Sequence, residues 1–176
     1  MFRPGHYGVA LALYAPVGGW LLTTGHPTAA VAGGAGVLWL TMLPDWDSRL
    51  PFVAHRGPTH TLPFAALVAG AAWLVAGAVV SAADPALDLG GPVAGPVSLQ
   101  AFAAGVAALA ILAHLAADLL TPMGVAVLWP LSGRRYSLSV TTADNSVWNY
   151  ALFALGVFAT AAAAYLGAEL LANAPA

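Results

Sequence analysis

The chain has 176 residues, of which 60% are hydrophobic and 7% are charged, and its formal net charge is -2. This composition excludes an ordinary soluble domain and indicates an all-α membrane protein that crosses the bilayer several times. It contains no cysteine, which excludes disulfides, thiolate metal sites and a cysteine nucleophile, and its few scattered arginines provide no basic surface for nucleic acid.

Long apolar runs predict about five transmembrane helices within a single membrane-embedded domain over residues 1–176. After a short polar lead that carries Arg3 and His6, the predicted helices cover residues 7–24, 28–43, 61–83, 98–120 and 147–172. Such runs are long enough, or nearly so, to span about 30 Å of hydrocarbon. A basic start followed by an apolar run also fits a signal peptide cleaved near residues 28–30, which would remove His6.

The segments between these runs have different compositions. Residues 84–96 contain three prolines and three glycines and are predicted to form a linker. Residues 123–131, MGVAVLWPL, are too short to cross a membrane and are expected to be re-entrant or interfacial, with Trp129 at headgroup depth. Asn145 or Ser146 is expected to cap the last helix.

The arginines predict the orientation of the chain. Arg3 precedes the first helix, Arg49 and Arg56 follow the second, and Arg134 and Arg135 follow the fourth, so alternate crossings place all of them on one side. The positive-inside rule then puts the amino terminus in the cytoplasm and the carboxyl terminus outside.

The same alternation gathers side chains that can bind metal at the cytoplasmic ends of the first four helices, whereas His26 and Asp84 fall on the opposite side. These candidate ligands are His6, Asp45, Asp47, His55, His60, His114 and Asp118. Oxygen and nitrogen donors without sulfur suit one or two divalent ions, with Zn or Mn favoured.

Two pairs in this set have informative spacing. His114 and Asp118 are four residues apart, so on a helix they share one face and could bind one ion. Asp45 and Asp47 flank one residue just past a helix end, where a turn lets both carboxylates reach a metal. Taken alone, each pair also fits a plainer interpretation, a buried His–Asp hydrogen bond in the first case and solvated helix-stop acids in the second.

The stretch from His55 to His60 combines two imidazoles with a turn. The two histidines bracket Arg56, Gly57, Pro58 and Thr59, and the Gly-Pro pair favours a turn that folds both rings inward. Arg56 could stabilise an anionic oxygen, or could act only as a charge that sets topology.

Three motifs, LPDWDSR, HRGPTHTL and HLAADLLTPMGVAVLWP, follow His6 in that order. Over residues 6–131 the chain thereby resembles the YdjM-like family of inner-membrane-associated, metal-dependent hydrolases. The resemblance implies a metal site on the seven ligands named above, all of which are present. Where family members often have LPDIDHP, this chain has Trp46 and Ser48, so an auxiliary histidine is missing. A distant likeness to zinc-dependent phospholipase C and nuclease-type helical hydrolases is an analogy.

These observations predict a membrane-bound metal-dependent hydrolase that cleaves a phosphodiester or other ester of a lipid-type substrate. Asp45 or Asp47 would act as the base, Arg56 would meet developing negative charge, and Arg134 and Arg135 would hold an anionic headgroup. The alternative is a divalent-cation or proton-coupled transporter that uses the same residues. A third possibility is a structural protein in which these histidines and aspartates merely pair.

Overall fold

A computed structural model describes residues 1–49, 51–52, 54–83 and 85–173 of the chain. Asp84, which the sequence assigns to the far side of the membrane, lies outside the described residues. The described part contains five α-helices, which confirms the all-α fold. They are α1 (Arg3–Thr23), α2 (Pro27–Thr41), α3 (Leu62–Ala82), α4 (Leu99–Leu119) and α5 (Ser146–Ala172).

Four stretches of the described chain are long and apolar enough to cross a membrane. They are Pro27–Arg49, which joins α2 to the short helix after it, and the helices α3, α4 and α5. The remaining helix, α1, has 21 residues and packs along α5 and against α2 and α4. The chain is therefore a polytopic helical membrane protein.

The helix ends follow local sequence signals. Thr61, Ser98 and Asn145 are the N-caps of α3, α4 and α5, and each side chain accepts a hydrogen bond from a backbone N–H in the first turn. The expected polar lead before the first helix is wrong in one respect, because α1 already begins at Arg3. Pro4 lies in its first turn, where the missing N–H costs nothing, so His6 sits on the helix.

Helix α4 lies in the middle of the bundle and contacts α1, α2 and α3. Its Ala110 and Ala113 pack with Ala10 and Tyr14 of α1 and Val37 of α2 in a buried core cluster. Small side chains let the helix backbones approach closely, which is how membrane helices gain packing energy without a hydrophobic driving force.

The contact between α1 and α5 depends on two glycines that face each other. A Cβ atom added to Gly8 would overlap the backbone of Leu152, and one added to Gly156 would overlap the backbone of Gly8. Only glycine leaves room for this approach. The parallel α1–α5 pair places the first turns of both helices at the same end of the bundle.

The connecting segments are more ordered than the sequence indicates. The predicted linker contains a 3₁₀-helix (Pro85–Leu87) and strand β1 (Pro92–Ala94), which forms an antiparallel hairpin with β2 (Val97–Ser98) just after the linker. Residues 123–131 contain no helix, and Val125 pairs with Tyr136 in an isolated antiparallel bridge. Val127 accepts a hydrogen bond from the backbone of Leu62, which ties this segment to the start of α3.

Candidate metal centre

A 3₁₀-helix (Pro44–Arg49) follows α2 and directs the two aspartates of the LPDWDSR motif. With about three residues per turn, side chains two residues apart point roughly 120° away from each other. Asp45 Oδ1 lies 3.3 Å from Nε2 of His60, and Asp47 Oδ2 lies 3.2 Å from Nδ1 of the same ring. The two carboxylates therefore contact opposite nitrogens of one imidazole, and the structure does not direct both at one point.

A turn at the start of α3 fixes His60. The backbone N–H of Gly57 donates to Ala54, and that of His60 donates to Gly57, as expected for the Gly-Pro pair. Thr61 then caps α3 by accepting from Phe64 N–H. His60 is completely buried, and its ring is held between the 3₁₀-helix and α4.

Four donor atoms from three segments meet at the end of α4. Nε2 of His60 and Nε2 of His114 are 3.1 Å apart. Asp45 Oδ1 lies 3.3 Å and 3.4 Å from these nitrogens, and Asp118 Oδ2 lies 3.5 Å from both. His114 and Asp118, four residues apart on α4, thus share one face as the spacing predicts.

Hydrogen bonds on the far side of each ring assign the tautomers. His114 Nδ1 lies 2.7 Å from the backbone carbonyl oxygen of Thr41, an acceptor only, so Nδ1 carries the proton. His60 Nδ1 lies 3.0 Å from Thr59 Oγ1, whose own proton goes to Asp47, so the Thr59 oxygen accepts from Nδ1. In the neutral rings both Nε2 atoms therefore present lone pairs to each other and to two carboxylates. A cation is the group that satisfies such a set.

The distances fit a metal ion of the predicted kind. Donors on a tetrahedral zinc ion at about 2.0–2.1 Å lie about 3.3–3.4 Å from one another. Five separations among the donor atoms of His60, His114, Asp45 and Asp118 range from 3.1 to 3.5 Å. These buried His and Asp groups could therefore hold a metal ion.

His6 lies beside this group of four and faces the other carboxylate oxygens. Its Nε2 is 3.7 Å from Asp118 Oδ1 and 3.9 Å from Asp45 Oδ2, and its ring stacks on His114 at 4.0 Å. Both ring nitrogens are buried and have no hydrogen-bond partner among the described residues, and the same holds for Asp118 Oδ2. Unsatisfied buried groups cost about 1–3 kcal/mol each, so this space suits a second ion or a bound water.

Arg56 orients Asp118. Its buried guanidinium forms an ion pair with Asp118 Oδ1 and donates to Thr121 Oγ1 at 2.9 Å, which leaves Asp118 Oδ2 facing the histidines. Arg56 adopts a φ of 58°, in the left-handed region that costs a non-glycine residue free energy. Its contacts are those of a residue that positions a ligand, and its predicted role at an anionic oxygen stays a prediction.

Asp47 is buried and surrounded by donors. It accepts hydrogen bonds from His55 Nδ1 at 2.8 Å, Thr59 Oγ1 at 2.7 Å and the backbone N–H of Arg56 at 3.2 Å. The His55 side chain is 48% exposed. Donor atoms of Asp47, His55 and His60 also lie close enough to hold an ion, but the Asp47 carboxylate already accepts these three hydrogen bonds and reaches His60 through the Thr59 hydroxyl.

The two predicted headgroup arginines lie behind this region. Arg135 donates to the backbone carbonyls of Gly124 and Arg56, and the Arg134 guanidinium lies over the Tyr136 ring at 5.4 Å. Both are exposed. Arg135 thus hydrogen-bonds to the loop that contains Gly124, and Arg134 lies next to it. The part of both arginines in substrate binding stays a prediction.

Several supporting residues carry weak or no sequence signals. Asn149, a buried amide on α5, accepts from Phe2 N–H at 3.0 Å and so fixes the start of α1 near His6. An amide inside an apolar run could have indicated this role. Thr41 acts through its backbone carbonyl, which any residue type has. Thr59 and Thr121 act through hydroxyl contacts with Asp47 and Arg56, which are distant in the sequence.

The fold and the site together define a polytopic helical membrane protein with a buried His/Asp group that could hold a metal ion. The chain belongs to the YdjM inner membrane protein family, whose model matches residues 1–174. This match extends the resemblance noted over residues 6–131 to nearly the whole chain. A search of curated proteins and a search of solved structures find no match.

Proposed function

We propose that the protein is a membrane-bound metal-dependent hydrolase that acts on an ester, a phosphodiester above all, of a lipid-type substrate. The observation that carries the proposal is the meeting of two unprotonated imidazole nitrogens and two carboxylate oxygens within 3.1–3.5 Å. The family supports the membrane location. Zn or Mn, as one ion or two, suits these donors.

The burial of the four residues supports a catalytic over a purely structural site. His60, His114 and Asp118 are buried, whereas the Asp45 side chain is 23% exposed and lines a cavity outside the group. Catalytic zinc sites keep three protein ligands and leave one position open, while structural sites are closed. If His60, His114 and Asp118 hold the ion, the fourth position lies on the partly exposed side next to Asp45 and is open to water, which matches the catalytic pattern and leaves Asp45 free to act as a base.

A bound divalent ion would supply a water of lowered pKa and polarise the phosphoryl or carbonyl oxygen of the substrate. Asp45 is the residue suited to accept the proton from the attacking water, since its carboxylate lies between the buried ligands and the cavity. Asp47 is less suited to be the base because its oxygens already accept hydrogen bonds. The Thr41 carbonyl and the Thr59 hydroxyl, itself bonded to Asp47, hold the two imidazoles in the tautomer that leaves Nε2 free.

The test is turnover by purified protein in detergent. Protein supplied with Zn or Mn is expected to hydrolyse a generic phosphodiester or a phospholipid in mixed micelles, and His114→Ala is expected to abolish this activity while the protein remains folded. His26→Ala is the matched control, because His26 contacts Thr24 at the other end of α1. Bound metal without turnover, together with ion flux in liposomes, would favour the transport alternative. Absence of metal would favour the structural one.

A further inference from the structure

A cavity of about 350 Å³ opens directly outside the buried ligands. Its wall is formed by the first residues of α1 and by the 3₁₀-helix after α2. The lining residues that matter here are Phe2, Arg3, Asp45, Trp46, Arg49 and His55. Because Asp45 belongs both to this wall and to the group of four donors, the cavity adjoins the candidate metal centre.

Two arginines give the cavity its charge. Arg3 and Arg49 are exposed and line it from opposite helices. In the described part of the chain, Arg56 and Arg135 are engaged by carboxylate, hydroxyl or carbonyl groups, whereas neither Arg3 nor Arg49 has a hydrogen-bond or ion-pair partner. Two unengaged guanidinium groups beside the start of α1, whose helix dipole also favours anions, form a site for an oxyanion.

Aromatic side chains sit beside these charges. Trp46 is 55% exposed and Phe2 is 49% exposed, and both line the cavity. A tryptophan at the end of a helical bundle is characteristic of the membrane interface, and this applies to Trp46. The cavity therefore offers charge to an anionic group and apolar contact to whatever is attached to it.

We propose that Arg3 and Arg49 bind the phosphate group of the substrate in this cavity, next to Asp45. The proposal rests on the proposed hydrolase function, for which it names the substrate class, and it assigns phosphate recognition to a different pair of arginines from Arg134 and Arg135. Asp45 lines the same cavity as Arg3 and Arg49, so a phosphate bound there lies next to the group of four donors. The phosphate can belong to a soluble phosphate ester or to a phospholipid headgroup, since the recognising chemistry is the same.

Equilibrium binding tests this assignment without relying on turnover. Detergent-purified protein is titrated with glycerol phosphate, which gives the dissociation constant for a soluble phosphate ester. Protein in nanodiscs is mixed with phosphatidylglycerol vesicles, and the lipid bound at equilibrium gives the dissociation constant for the phospholipid. Arg3→Gln and Arg49→Gln are each expected to raise the dissociation constant about 10-fold or more, because each removes a charge-assisted hydrogen bond. Arg49→Lys is expected to lose only part of the affinity, since it keeps the charge but not the guanidinium fork. If the two arginines affect only the binding of glycerol phosphate, the phosphate belongs to a soluble ester. If they affect only the binding of phosphatidylglycerol, it belongs to a lipid headgroup, and an effect on both means that the site accepts either.

Two comparisons keep the outcome decisive. Wild-type affinity in both glutamine variants, or a loss confined to Arg134→Gln and Arg135→Gln, would overturn the proposal. Metal content is measured on every variant and is expected to equal that of the wild type, since neither Arg3 nor Arg49 contacts a ligand. The wild-type protein could also bind no metal when zinc or manganese is supplied and still bind phosphate through Arg3 and Arg49. That result would refute the metal-dependent hydrolase function and leave the phosphate site standing.

Discussion

His60 and His114 present their Nε2 atoms to each other at 3.1 Å, although each ring already donates its Nδ1 proton elsewhere. Two lone pairs at this distance, flanked by Asp45 and Asp118, repel one another unless a cation lies between them. The residues around the rings, Thr41 and Asp47 in particular, maintain this arrangement. These buried polar contacts are those expected around a metal centre, where residues outside the ligands fix the tautomers of the ligand histidines.

Substituting Asp47 tests its role as a positioning residue. Asp47→Asn keeps the shape of the side chain but weakens the acceptor for the Thr59 hydroxyl, which in turn contacts His60 Nδ1, and we expect metal affinity to fall about 10–100-fold without being lost. Competition with a chelator of known affinity measures the change. Asp144→Asn, at an exposed position, is the control. Complete loss of metal would instead identify Asp47 as a direct ligand.

Arg56→Met tests the ion pair that orients Asp118. Removing one partner of a buried pair leaves an uncompensated charge, so we expect metal-free protein to lose about 3–5 kcal/mol of stability. Added zinc should restore part of this loss because it supplies positive charge to the same carboxylate. Thermal unfolding in detergent, with and without zinc, measures both effects. Arg134→Met, which removes an exposed arginine, should change stability by no more than about 1 kcal/mol. Equal effects of the two substitutions would contradict the role given to Arg56.

The close approach of α1 and α5 predicts a contrast between two glycines. Gly8→Ala would place a methyl group into the backbone of Leu152, and we expect a loss of about 1–3 kcal/mol together with weaker metal binding, because α1 carries His6. Gly105 on α4 faces open space where a methyl group would project, so Gly105→Ala should be neutral or stabilise by up to about 1 kcal/mol. Unfolding midpoints of the two variants give the comparison. A neutral Gly8→Ala would show that the helices separate readily.

The absence of cysteine allows the predicted orientation to be tested with single introduced thiols. Gly133→Cys lies in the same loop as Arg134 and Arg135, and Thr28→Cys lies at the start of α2, at the opposite end. If the metal-binding end faces the cytoplasm, a membrane-impermeant maleimide should label Thr28→Cys in intact cells and label Gly133→Cys only after lysis. The reverse pattern would place the site on the outer side.

The sequence predicts much of this molecule because hydropathy and capping act locally. The predicted ends of the last four helices fall within two residues of the structure, and Asn145, one of the two predicted caps, does cap α5. The gathering of His6, His60, His114 and the aspartates at one end follows from alternate crossings alone. The predicted start of the first helix is too late because Arg3 and His6 are polar, and polarity does not stop a helix that opens with Pro4.

Other features could not be derived from the pattern. The division of labour between Asp45 and Asp47 depends on the 3₁₀ geometry of Pro44–Arg49, and a turn of another type would have directed both toward one ion. The α1–α5 contact depends on which of many glycines face each other, and small residues occur in every helix. The carbonyl of Thr41 has no side-chain signature. The hairpin of residues 92–98 forms in a segment whose prolines and glycines resemble those of a flexible linker.

The most direct test is the metal content of protein purified without added metal or chelator, combined with X-ray absorption on the bound ion. We expect at least one equivalent of a divalent metal with nitrogen and oxygen neighbours at about 2.0–2.2 Å, retained in His26→Ala and lost in His60→Ala and His114→Ala. A wild-type protein that binds no metal when zinc or manganese is supplied, or a His114→Ala protein that retains its metal, would contradict the account.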